Sequence, residues 1–97
     1  VGGFTASLKG ATMLELFDGI EIHRFIVEGG KFIDTTEIEN FDVITFSNSK
    51  IIYSVQGHLE TGGVDDIADF ESEQMALEVA GCINAKLNYH HGINIHY

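Results

Sequence analysis

Apolar and polar residues alternate along most of this chain, and only between residues 71 and 90 does the period lengthen to that of a helix. A period of two aims successive side chains at opposite faces of a strand, whereas a period near 3.6 gathers them on one helix face. In "GFTASLKG", Phe4, Ala6 and Leu8 alternate with Thr5 and Ser7. In "IEIHRFIV", Ile20 and Ile22 share one face and Phe25 and Val27 the other. That phase change implies a bulge near His23 and Arg24, or a strand buried on both sides. Gly29-Gly30 predicts a hairpin across residues 28–34. A second hairpin is expected in "DVITFSNSKIIYSV", with residues 43–46 and 51–55 joined through Ser47-Asn48-Ser49.

The helical stretch is "ESEQMALEVAGCINAKLNYHH". Met75, Val79, Ile83 and Leu87 recur every four residues, and Ala76, Ala80 and Cys82 widen the stripe. Ser72 suits an N-cap, Glu71 and Glu73 suit the first turn, and Lys86, His90 and His91 suit the last. Gly92 fits the position just past the helix, and Gly81 predicts a close approach to the sheet. "ATMLELFDG" (residues 11–19) fits a strand or a single turn. The expected fold is therefore α+β, with all 97 residues in one domain. An antiparallel, meander-like sheet of about five or six strands packs on one helix at 71–90, and a final strand follows at 93–97. A helix at 11–18 would instead give the β-α-β-β-α-β order of a ferredoxin-like fold. The expected core draws on Ile20, Ile22, Ile26, Phe32, Ile44, Ile51, Tyr53, Val55, Met75, Val79, Ile83 and Ile95, among others.

Charge narrows the function classes. Fifteen acids oppose five Lys and Arg, for a formal charge of −10. Phosphate affinity rests on clustered cations, so no direct nucleic-acid binding is expected. An anionic membrane surface would repel the chain, and no apolar run approaches the ~20 residues of a membrane span. Residues 1–9 lack the basic start and apolar centre of a signal peptide. Between Lys50 and Lys86 stand Glu60, Asp65, Asp66, Asp69, Glu71, Glu73 and Glu78 with no base among them. These seven are the candidate partner-binding residues, meeting a basic protein by charge complementarity. The plainer reading is a solvated, solubilising face. Cys82 is the only cysteine, which excludes an internal disulfide and Cys-x-x-Cys zinc sites and fits the cytoplasm.

Catalytic and cofactor motifs are missing: there is no phosphate loop, no G-x-S-x-G and no EF-hand spacing. "GIEIH" (19–23) and "GINIH" (92–96) resemble each other because two half-buried strands obey one alternation. Should those strands be neighbours, His23 and His96 would share a face with Glu21, and two imidazoles with a carboxylate are ligand types that suit zinc or iron. His90 and His91 lie close by in sequence. No His-x-x-x-His spacing supports a metal helix, so neither metal nor cofactor is expected. The chain thus reads as a small acidic, non-enzymatic interaction protein. In size and charge it resembles inhibitors made by phages and other mobile elements, anti-CRISPR proteins among them, which would block a basic, nucleic-acid-binding partner. Two alternatives stand beside this: a dimeric α+β enzyme or ligand-binding domain, and a structural subunit whose sheet edges pair between chains.

Overall fold

Strand β1 (Phe17–Glu28) is the axis of the sheet in the computed structural model, which describes residues 17–86 and 92–97. The Gly29-Gly30 turn, with φ of 56° and 79°, returns the chain into β2 (Lys31–Asp34), as a two-residue hairpin requires. Strand β3 (Lys50–Leu59) pairs antiparallel along the other edge of β1, and β4 (Val64–Phe70) pairs antiparallel with β3. After the helix, β5 (Ile93–His96) lies parallel to β1, beside residues 20–23. The path is β2-β1-β3-β4, with β5 on the edge of β1 that β2 leaves open. The α+β expectation holds: the described residues form an open sheet of five strands, largely antiparallel, with a C-terminal helix and a last strand.

The expected bulge at His23 and Arg24 is absent, because the β1–β3 register runs unbroken from Gly19 to Val27 and shifts only between Phe17 and Gly19. Phe25 and Val27, which carry the second phase, are half-buried on the face away from the helix. Ile20 and Ile22 are fully buried toward the helix, while Glu21, facing the other way, is only 5% exposed. The second predicted hairpin does not form. Residues 43–48 make turns around Asp42, whose carboxylate accepts the Ile44 N–H at 3.0 Å, and Ile44 is 81% exposed. Residues 51–55 are a strand, but their partners are β1 and β4: long-range pairing outcompetes the local β-preference of 43–46.

Helix α1 (Glu73–Lys86) is capped as expected, with the Met75 N–H donating to Ser72 Oγ at 3.2 Å. Its buried line is Ala76, Ala80 and Ile83, packed on Ile20, Ile22, Tyr53 and Val55. Met75 is 47% exposed and Cys82 is exposed, so the stripe is turned from the Met75–Val79 line toward the alanines. Methyl side chains let the helix approach the sheet, where a longer side chain would hold it off. Gly81 plays no part in this approach, since a Cβ there would meet nothing within 4 Å. The close-packed glycine is Gly57, where a Cβ would collide with the Phe17 ring. Phe32 and Ile95, also expected in the core, lie on the short strands β2 and β5 and are exposed. Phe4, Leu8, Leu14, Leu16 and Leu87 fall outside the described residues. So does most of 11–18, on which the ferredoxin-like alternative rests, although Phe17 and Asp18 belong to β1.

Arg24, on the helix side of β1, is held between two rings. Its guanidinium sits 4.3 Å from the Phe41 centroid and 4.6 Å from that of Tyr97, and its Nε donates to Thr35 Oγ1 at 3.0 Å. The Tyr97 hydroxyl in turn donates to Glu73 at 2.6 Å. Burial, and then this carboxylate, raise the Tyr97 pKa well above that of a free phenol. The cluster ties the end of β5 to the start of α1 and to the loop after β2. No helix among the described residues is long and apolar enough to cross a membrane.

Candidate functional site

The face of the sheet turned from the helix is built from alternate residues of its strands. β1 contributes Glu21, His23 and Phe25; β3 places Gln56 opposite Glu21, Ser54 opposite His23 and Ile52 opposite Phe25. β5 sets Asn94 beside Glu21 and His96 beside His23. Polar side chains in the centre of a sheet are costly to bury unless bonded. Ser54 and Gln56 are 2% and 6% exposed, and they are joined: Gln56 Nε2 donates to Ser54 Oγ at 3.2 Å, and Ser54 Oγ donates to Asp66 Oδ1 at 3.3 Å.

Asp66 and Asp69 reach this face together because of a bulge. Three residues apart in a regular strand, they would point to opposite sides. The register shift between Val55 and Gln56 leaves Ile67 extra on β4, so that Asp66 stands opposite Gln56 and Asp69 opposite Ser54. With Phe25, Phe32, Ser54 and Gln56 they line a pocket of about 220 Å³. Phe25 and Phe32 meet edge to face, centroids 6.0 Å apart. One wall is therefore aromatic and the other carries two carboxylates. Among the described residues neither carboxylate is paired with Lys or Arg.

At the other end of the same face, His23 Nε2 lies 2.7 Å from Glu21 Oε1 and His96 Nε2 lies 3.4 Å from that same oxygen. The two imidazoles stack with centroids 4.6 Å apart, and His23 stacks in turn on Phe25 at 6.3 Å. A broader groove of about 670 Å³ opens beside them, lined by Asp18, Gly19, Glu21, His58, Asn94, Ile95 and His96. The register shift after Phe17 brings Asp18 to His58, whose Nδ1 lies 2.5 Å from Asp18 Oδ1. This hydrogen bond chiefly raises the His58 pKa; the charges of Asp18 and Glu21 add to it and desolvation opposes it.

The seven sequence-selected acids are thus divided. Asp66 and Asp69 converge on the pocket, while Asp65 takes the other side of β4, opposite Gly57. Glu60 stands in the β3–β4 turn, Glu71 before the helix and Glu78 along it, all three exposed. Glu73 accepts the Tyr97 hydroxyl. His23, His96 and Glu21 do meet, and His90 and His91 lie outside the described residues. Phe25, Ser54 and Gln56 were not legible as site residues. Their one sequence signal is the pair of polar residues spaced two apart within the apolar run "IIYSVQ". No family model, curated protein or solved structure matches this chain.

Proposed function

We propose that this protein is a non-enzymatic binder that receives an arginine side chain of a basic protein in the pocket between Phe25, Phe32, Asp66 and Asp69. The supporting observation is the β4 bulge, which sets two carboxylates, neither paired with Lys or Arg among the described residues, across from two aromatic rings. A guanidinium is planar, always charged and weakly hydrated, so it can lie on a ring while its N–H fork donates to a carboxylate. Ring contact contributes about 0.5–2 kcal/mol and a charge-assisted hydrogen bond about 1.5–3 kcal/mol. The pocket is below the ~300 Å³ at which small-molecule sites usually begin, and its size suits one side chain of a larger partner. The remaining acids add a long-range field that speeds the encounter with a basic protein, and the pocket sets where it docks. In its concrete form the protein is a cytoplasmic inhibitor of the phage or mobile-element type, as anti-CRISPR proteins are, whose carboxylates take the place of phosphates on a nucleic-acid-binding partner.

The test uses a short, capped peptide with one arginine flanked by neutral residues, titrated by NMR. Affinity near the millimolar range is expected, since such contacts sum to about 4 kcal/mol. Asp66→Asn with Asp69→Asn keeps an acceptor for Ser54 and should weaken binding at least ~10-fold. Glu71→Gln with Glu78→Gln removes the same charge elsewhere and should cost less than ~3-fold. Equal losses in the two variants would show that only net charge matters, and the pocket reading would fall.

A further inference from the structure

We infer that Glu21, His23 and His96 form a binding site for a late first-row divalent metal ion, with zinc the natural probe. One ligand atom from each residue falls within 4.8 Å of the other two. Around an ion with bonds of about 2.0–2.2 Å, ligand atoms sit roughly 3 Å apart, so two of the three spacings already suit a shared ion. Two imidazoles and one carboxylate, with one side open to a groove, match the donor set of zinc and of non-haem iron sites that keep positions for water.

A simpler role, satisfying a buried carboxylate, leaves part of the geometry without a purpose. Glu21 already has His23 at 2.7 Å. A second imidazole, 45% exposed, is nonetheless stacked on the first with its Nε2 toward the same oxygen. Such convergence comes from the parallel pairing of β5 with β1, which sets His96 at the register position of His23. The rings stand only 11° from parallel, so metal binding turns them about Cβ–Cγ until both nitrogen lone pairs meet the ion. The Glu21–His23 hydrogen bond is then exchanged for two bonds to metal, and any proton on the ligand nitrogens is released. This site is separate from the arginine pocket, and its residues carry no part of that binding.

The experiment titrates zinc into tag-free protein by calorimetry, with thermal melting and cobalt absorption as further readouts. Wild type is expected to bind one ion, to melt several degrees higher when saturated, and to show cobalt bands in the visible. His96→Ala, on an exposed edge strand, should lose at least 10-fold in affinity while keeping the metal-free melting temperature. His23→Ala should lose as much, and His58→Ala should stay within about 3-fold, since His58 faces Asp18. Should His23→Ala fail to fold, His96→Ala decides alone. Zinc that leaves wild-type melting unchanged, or that binds His96→Ala as tightly as wild type, overturns the site.

Discussion

At the scale of single residues, Arg24, His23, His58 and His96 each meet a specific partner. Arg24 lies between the Phe41 and Tyr97 rings and ties β1 to the loop after β2 and to the residue that follows β5. His58 is bound to Asp18, and this pair gives a prediction with a definite sign. A histidine whose pKa is higher in the folded than in the unfolded state stabilises the fold fully below the unfolded value, near 6.5. The contribution fades as pH rises through the raised folded value. Melting temperatures of wild type and His58→Gln, measured in chelator from pH 5 to 9, should therefore differ most at the acid end and converge at the alkaline end. The difference will be small, as both side chains are well exposed. A gap that widens with pH would mean that the pair does not form. Glu21 and His23 teach the limit of reading residues in sequence. Their spacing shows that they share a strand face, but the third member, His96, is placed by a parallel pairing that no local signal announces.

At the scale of elements, alternation and helical period were enough to locate β1, the β1–β2 hairpin, the capped helix and the last strand. Period and β-preference did not determine pairing. The run 43–46 has strand composition but no partner, while 51–55 pairs along β1 and β4. Bulges were equally invisible: the one anticipated at His23 does not exist, and those among the described residues after Phe17 and at Ile67 carry Asp18 and Asp66 into place. On β4 the acids and the bulge also have a structural use, because charge and local twist discourage an outer strand from pairing with another chain. Helix α1 gives the second prediction, through its turned face. Ala80→Leu forces extra volume against Ile22 and Val55 and should cost about 1–3 kcal/mol, whereas Met75→Gln should stay within about 0.5 kcal/mol. Ala80→Asp buries an unpaired charge and should unfold a domain whose whole stability is ~5–15 kcal/mol. Chemical denaturation checks all three, and a larger loss for Met75→Gln than for Ala80→Leu would restore the Met75–Val79 face.

For the molecule as a whole, the two sides of the sheet do different work. The helix side holds the aliphatic core and the Arg24–Tyr97–Glu73 tie. The other side carries a line of rings, stacked from His96 through His23 to Phe25 and edge to face from Phe25 to Phe32, flanked by Ser54, Gln56, Asp66 and Asp69. The charge of −10 pointed to a basic partner but gave no direction, since acids stand on β4, before the helix and along it. Amide shift mapping with the single-arginine peptide tests most directly whether recognition belongs to the face away from the helix. Shifts should concentrate at Phe25, Phe32, Ser54, Gln56, Asp66 and Asp69, and those of the exposed helix residues, Glu78 among them, should stay near their free positions. Shifts centred on Glu71, Glu73 and Glu78, with the strand residues unmoved, would contradict it.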